Sequence, residues 1–287
     1  MVFTAKDVCN KAITIEATKM MSDVREIMLK YNISRIIIEN NQKPVGMVTE
    51  KGISRYLYKE NNDKSLDEIV ISKAMRAPLI SVPYDKDIRE CAKLMRDNEI
   101  SSLIVEAEED GKQGERIFLF TKSDLVKLYA ENYKGKYKVD DYMTKQVFTI
   151  SPSNSLHTVM KILIKERISR VIVTNRDNEI IGVVTAKDLM PITAFAESDG
   201  LQINEKGKEE IEKTNLASIG HAMIVRDIMK KPVITVKSTD DLAKAAQIMT
   251  DKMISGVPVT NSNNDNKDLA GIITKTDIVN ALVESNY

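Results

Sequence analysis

The sequence has no tryptophan, two histidines and two cysteines among its 287 residues, and aromatic side chains make up only 5% of it. Two cysteines, Cys9 and Cys91, cannot staple a chain of this length and are expected to be small core residues. Together with His157 and His221 they offer no metal-ligand spacing and no nucleophile–base pair, and no other catalytic constellation is present. An excess of charge is missing too. Lys+Arg and Asp+Glu each number 42, so the net charge is zero and nucleic acid is not expected as a partner. Apolar runs reach about eight residues, far short of the roughly 20 that a membrane span needs. The 11 glycines contain no G-x-x-x-x-G-K phosphate loop. The N-terminal MVFTAKDVCN lacks the apolar segment of a signal peptide. These absences predict a soluble, cytoplasmic protein that is not an enzyme and requires no cofactor.

What fills the sequence is aliphatic and repeated. The phrases NISRIII (32–38), EISSLIV (99–105), ERISRVIV (166–173) and MISGVPV (253–259) share an isoleucine anchor at Ile33, Ile100, Ile168 and Ile254. Twelve positions before the anchors stand Met21, Ile88, Leu156 and Leu242; nine before, Val24, Cys91, Val159 and Ala245. Six before stand Ile27, Leu94, Ile162 and Ile248; five before, Met28, Met95, Leu163 and Met249. That spacing is the apolar stripe of a helix, and the anchor opens a β-branched strand. Upstream, AMRAPLISV (74–82), YMTKQVFTI (142–150) and IMKKPVITV (228–236) place Met before a short strand, while VCNKAITI (8–15) has Cys9 in that slot. Downstream, GMVTEKGI (46–53), FLFTKSDL (118–125), GVVTAKDL (182–189) and GIITKTDI (271–278) close each unit on strand, Thr and helix.

Four β-α-β-β-α units of an α/β (α+β) chain result. One unit of about 60 residues is marginal alone, so the units are expected to pack as two pairs. The first pair spans 1–135, with repeats near 5–60 and 70–135. The second spans 136–287, with repeats near 138–195 and 222–287. A polar insertion at 195–221, with one charged helix near 205–218, separates the last two repeats.

The Met-containing lead-in, the Ile-Ser strand entry and the closing Thr-x-x-Asp, four times in this order over almost the whole chain, resemble the cystathionine β-synthase (CBS) domain. The arrangement resembles two tandem Bateman modules, a layout similar to the gamma subunit of AMP-activated protein kinase. The resemblance implies regulation through an adenosine-containing ligand held in a cleft between two repeats. AMP, ADP or ATP rank first as that ligand, ahead of S-adenosylmethionine or NAD. An effector protein of unknown identity would be the regulated partner, with the chain acting as a monomeric disk or a homodimer.

The chemistry at Thr-x-x-Asp fits such a ligand. A strand ending at Thr and turning into a helix exposes free N–H groups that favour an anion. One turn later an ionised Asp can accept from both ribose hydroxyls. The same spacing is also that of a capping box, with Thr as the N-cap. Thr121 and Asp124, Thr185 and Asp188, and Thr274 and Asp277 complete the motif, whereas Thr49 is followed by Gly52. The resemblance implies a crossing, in which each closing motif meets the strand entry of its sister repeat. Asp124 would meet Ser34 and Arg35, and Asp277 would meet Ser169 and Arg170. Asp188 would meet only Ser255 and Gly256, and Gly52 would meet Ser101 and Ser102. Arg supplies a fixed fork of donors for phosphate, and Lys122 and Lys275 follow their threonines directly. Thr14, Ser81, Thr149 and Thr235 on the lead-in strands are implied beside the purine and α-phosphate, or are plain strand residues. The expectation is two good phosphate-bearing clefts at Asp124 and Asp277, one cleft at Asp188 suited to less phosphate, and one defective cleft at Gly52.

Three features stay outside this pattern. Phe118 stands where the other repeats have Gly46, Gly182 and Gly271, crowding its strand or narrowing a pocket. Tyr129, Tyr133 and Tyr137, four apart between repeats two and three, suggest core or interdomain packing rather than base stacking. His157 is placed on a solvent-facing helix position. A constitutive scaffold with degenerate clefts is the alternative to a sensor.

Overall fold

The computed structural model describes residues 3–41, 43–60, 65–106, 117–189, 223–261 and 268–285. The charged helix expected near 205–218 lies outside the described residues.

Each repeat builds a small sheet with helices on one face. Repeat one contains β2 (Thr14–Glu16), α1 (Met21–Lys30), β3 (Arg35–Asn40), β4 (Lys43–Thr49) and α2 (Glu50–Glu60), preceded by β1 (Asn10–Lys11). Repeat two contains β5 (Ser81–Pro83), α3 (Ile88–Asp97), β6 (Ser102–Glu106), β7 (Ile117–Thr121) and α4 (Lys122–Asn132). Repeat three opens on α5 (Val139–Tyr142), followed by β8 (Thr149–Ile150), α6 (Leu156–Lys165), β9 (Arg170–Thr174) and β10 (Ile180–Thr185), with helix resuming over 186–189. Repeat four contains α7 (Val225–Ile228), β11 (Val236–Lys237), α8 (Leu242–Asp251), β12 (Gly256–Thr260), β13 (Leu269–Thr274) and α9 (Lys275–Glu284). In each, the short lead-in strand runs parallel to the middle strand, which pairs antiparallel with the closing strand.

The apolar stripe does what its period requires. Met21, Ile88, Leu156 and Leu242 are at most 1% exposed, and Val24, Cys91, Val159 and Ala245 are at 0%. Burying each of the Val, Leu, Ile and Met side chains among them contributes about 1.5–3 kcal/mol. The step from helix to strand explains the recurring anchor. The residue before each isoleucine is left-handed: Asn32, Glu99, Arg167 and Met253 have φ of 50–55°. This conformation ends the helix in a Schellman turn. The amides of Ile33, Ile100 and Ile254 donate to the carbonyls of Met28, Met95 and Met249, each at 3.0 Å. The isoleucine therefore sits against the residue five before it.

Lead-in segments cross within each pair. Asn10 and Lys11 join β7 of repeat two, and Arg76 bridges Met47 on β4 of repeat one. Thr144 bridges Ile272 on β13 of repeat four, and Lys230 bridges Val183 on β10 of repeat three. The strand before repeat one thus belongs to the sheet of repeat two. The crossing also accounts for the glycines. A Cβ on Gly182 would lie 2.6 Å from Met229 Sδ, and one on Gly271 would lie 2.8 Å from Thr144 O and 3.0 Å from Met143 Sδ. Gly46 faces Met75 in the same way. Repeat two reverses the sizes. Phe118 packs on Tyr84 with ring centroids 6.1 Å apart, and the lead-in crossing it carries the smaller Cys9.

Sister sheets meet through small apolar clusters: Ala12, Ile37, Met47 and Ile104 in the first pair, and Ile172, Ile180 and Ile272 in the second. The two pairs join through repeats two and four, whose helices share one core. Small Ala243, Ala245 and Ala246 on α8 admit α4 closely, and Tyr129 stacks on Tyr133 at 5.1 Å inside this seam. Repeats one and three keep separate cores and touch through polar groups, with Lys51 Nζ 3.0 Å from Arg167 O and Lys187 Nζ 3.0 Å from Asn32 Oδ1. His157 is half-buried rather than solvent-facing, because the residues flanking its turn of α6 are core. Among the described residues, no helix is long and apolar enough to cross a membrane.

Candidate functional site

The three Thr-x-x-Asp motifs are built alike. Asp124 Oδ2 accepts from Thr121 N and Oγ1 at 2.7 and 2.6 Å. Asp188 Oδ2 accepts from Thr185 N and Oγ1 at 2.8 and 2.6 Å. Asp277 Oδ2 accepts from Thr274 N and Oγ1, both at 2.7 Å. One carboxylate oxygen thus completes a helix cap in every case. In repeat one the Gly52 amide instead donates to Thr49 Oγ1 at 3.0 Å. The serine of each strand entry ties the turn to its own sheet through its carbonyl. Ser34, Ser101, Ser169 and Ser255 accept from the first helical amide, that of Glu50, Lys122, Ala186 and Lys275, at 3.0–3.2 Å.

The strand-entry arginines cross to the sister repeat. Arg35 Nη1 donates to Ser101 O at 2.8 Å and Ser101 Oγ at 3.2 Å. Arg170 Nη2 donates to Ser255 Oγ and, at 3.3 Å, to Ser169 Oγ. Burial holds both guanidinium groups below their usual range, Arg170 at about 10, while Asp124 opposes the shift at Arg35 and Asp277 opposes it at Arg170. Asp124 and Asp277 are in turn raised by burial, against the pull of their threonine bonds and the nearby cations. Among the described residues neither arginine forms an ion pair, and Arg170 Nε, in a side chain only 8% exposed, has no hydrogen-bond partner.

The lysines after the threonines reach further, into the opposite pair. Lys122 Nζ donates to Thr276 Oγ1 at 3.1 Å, and Lys275 Nζ donates to Ser123 Oγ at 2.7 Å. Burial, then Arg35 and Arg170, push Lys275 down to about 8, with Asp124 opposing. Lys122 is lowered by burial and Arg35, against Asp277. Four cations therefore converge where the N-termini of α4 and α9 meet, with two carboxylates beside them. Among the described residues, repeats one and three have no such centre. Glu50 and Ala186 occupy the lysine slots, and Glu50 lies 3.8 Å from Lys187.

Gly256, expected only as the position where the Asp188 cleft lacks an arginine, has a steric role. A Cβ there would lie 2.8 Å from Arg170 Cζ and 3.0 Å from Ile273 O, so this glycine makes room for the guanidinium of the sister repeat. The lead-in Thr14, Thr149 and Thr235 make no side-chain hydrogen bond among the described residues, and Ser81 and Thr149 are exposed.

A family model described as the CBS domain matches residues 5–59, 68–131, 139–192 and 225–284. The chain belongs to the CBS domain family. Uncharacterized protein MJ1225 of Methanocaldococcus jannaschii is 23% identical over 261 residues, covering 87% of each chain. Its crystal structure, presented as a candidate archaeal homologue of g-AMPK, superposes with a TM-score of 0.79 at 20% identity over 97% of this chain and 99% of that one. Protein MJ1404 of the same organism is 24% identical over 274 residues, and this match takes in 62% of that longer relative. The structure of an uncharacterized conserved protein from Pyrococcus horikoshii gives a TM-score of 0.64 at 18% identity over 98% of this chain and all of that one. The CBS repeats pack in pairs, as the lead-in crossings require.

Gly52 offers a direct check on the cap. A Cβ there would lie 3.6 Å from Ala74 O, an ordinary contact, and 3.2 Å from Thr49 Oγ1, a tight one that the threonine side chain must relieve by a few tenths of an ångström. Gly52→Asp is expected to complete the fourth capping box and stabilise the chain by about 1 kcal/mol, a rise in Tm of roughly 2–4 °C. A lower Tm in a thermal melt would show that this closure cannot take the box.

Proposed function

We propose that this CBS-domain protein is a cytoplasmic regulator that binds an adenine nucleotide and thereby controls a separate effector protein. Residues 1–135 and 136–287 are its two ligand-binding units, which one chain brings together. The observation that carries this reading is the buried Arg170 guanidinium, without an ion-pair partner among the described residues, near a carboxylate and at the meeting of two helix N-termini. A buried charge without a counter-ion is costly. A phosphate supplies that counter-ion and the acceptor that Arg170 Nε lacks. Asp277 then receives the ribose, with Thr274, Lys275 and Ser169 around the phosphate. Asp124, Thr121, Lys122, Ser34 and Arg35 form the corresponding cleft of the first pair. The Asp188 cleft, with Thr185 and Ser255 but no sister arginine, favours ligands with less phosphate.

A thermal-shift screen against AMP, ADP, ATP, S-adenosylmethionine, NAD and cyclic dinucleotides tests the proposal, because a ligand bound only by the native state raises Tm. A rise with at least one adenosine phosphate is expected; no shift with any of them returns the scaffold reading.

The depressed Lys275 adds a pH signature. In the free protein Lys275 loses its proton near pH 8, whereas the unfolded chain keeps it to the ordinary 10.5, so this group makes stability rise with pH across that window. A bound phosphate favours the charged lysine, so binding takes up a proton above pH 8. AMP is already a dianion there, its second pKa being about 6. AMP affinity is therefore expected to fall as pH rises from 7 to 9, by up to about tenfold per unit above pH 8. Calorimetry should find this slope lost in Lys275→Met; an unchanged slope would place the phosphate elsewhere.

A further inference from the structure

The slot after the lead-in Met or Cys holds Asn10, Arg76, Thr144 and Lys230, and each sits where its segment crosses to the sister repeat. Two of these side chains reach the closing aspartate there. Asn10 Nδ2 donates to Asp124 Oδ1 at 3.0 Å, and Lys230 Nζ lies 2.7 Å from Asp188 Oδ1. Thr144, which bridges Ile272 on the strand leading into the Thr274 closure, makes no such contact, and Asp277 Oδ1 has no hydrogen-bond partner among the described residues. Arg76 faces the repeat that ends in Gly52 and has no closing carboxylate.

The two oxygens of each carboxylate thus divide their work. Oδ2 is committed to the helix cap in all three repeats, which leaves Oδ1 for a ligand. That atom is open at Asp277, held by a neutral amide at Asp124 and held by an ammonium at Asp188. We propose that the lead-in residue is a selectivity latch on the ribose acceptor of the sister repeat, so that the Asp277 cleft fills most readily, the Asp124 cleft next and the Asp188 cleft last. The proposal rests on the reading of Oδ1 as the ribose acceptor. A ribose hydroxyl must displace the latch, and displacing an ion pair from a carboxylate only 7% exposed costs more than displacing an amide. Lys230 itself is 66% exposed, so it can swing into water without crossing the core. Glu50, brought by repeat one with its side chain 13% exposed and 3.8 Å from Lys187, sets a second carboxylate beside this cleft and disfavours phosphate there.

Calorimetry of the full chain with AMP and with adenosine tests the latch, using Lys230→Met, Thr144→Lys and Asp277→Ala. Lys230→Met is expected to add one adenosine site to those of the wild type. Thr144→Lys, which installs a latch over the open carboxylate, is expected to weaken the tightest site about tenfold. An unchanged number of sites in Lys230→Met and an unchanged tightest site in Thr144→Lys, with the tightest site weakened in Asp277→Ala, would overturn the latch and leave the ribose reading standing. Binding unchanged in Asp277→Ala would overturn the ribose reading and the latch with it.

Discussion

Replacing Arg170 by methionine is expected to lower AMP affinity roughly ten- to a hundredfold while leaving the ligand-free protein as stable as before or more so. The two effects have one cause. Arg170 is 8% exposed, and among the described residues its Nε has no hydrogen-bond partner and no carboxylate comes within ion-pair distance. Burial has already pulled its pKa down to about 10, a sign that the site disfavours the cation until an anion arrives. Methionine keeps the apolar stem, removes the charge and leaves Ser169 and Ser255, both exposed, to water. Calorimetry and a thermal melt of the same variant check both halves. A Tm several degrees lower with AMP binding intact would make Arg170 a structural tie between repeats three and four.

Asp277→Ala is expected to weaken AMP binding by a similar factor, and this time the free protein should melt lower as well. A capping role and a ribose-binding role look like alternatives when read from the spacing of Thr274 and Asp277. The structure serves the cap with Oδ2 and leaves Oδ1 outside it. Loss of the cap costs about 0.5–2 kcal/mol. Loss of a charge-assisted bond to a ribose costs about 1.5–3 kcal/mol in binding. Asp141, whose Oδ2 caps the Lys138 amide at 2.8 Å, is the control, since Asp141→Ala should lose stability alone. Equal AMP affinities in the two variants would mean that Asp277 is a cap and nothing more.

The repeats were legible because a helix stripe is a local property. Val24, Cys91, Val159 and Ala245 could be aligned by counting, and burial then followed from period alone. The left-handed turn before each isoleucine was not legible. Glycine usually marks that position, whereas here Asn32, Glu99, Arg167 and Met253 take it, held by the bond to the helix end. The crossing of Asn10, Arg76, Thr144 and Lys230 onto sister strands was equally hidden, since it pairs residues distant in sequence. Gly256 read as a missing arginine, but its role is steric and depends on a guanidinium from another repeat. In sequence Lys122 and Lys275 are neighbours of their own threonines, and only the packing of α4 against α9 carries them into the opposite pair. Phe118 and Cys9 each departed from the pattern in sequence, and they make sense only as one exchange of volume across the crossing.

A crystal structure of the full chain grown with saturating AMP tests the central claim most directly. It should show AMP with its phosphate against Arg170 and Lys275 and its ribose on Asp277 Oδ1, a second AMP between Arg35 and Asp124, and none in the cleft of Thr49 and Gly52. Full occupancy at Thr49 and Gly52 with the Asp124 and Asp277 clefts vacant would contradict the account, and would mean that pocket shape and backbone contacts, rather than the strand-entry arginines and the aspartate Oδ1 atoms, choose the ligand.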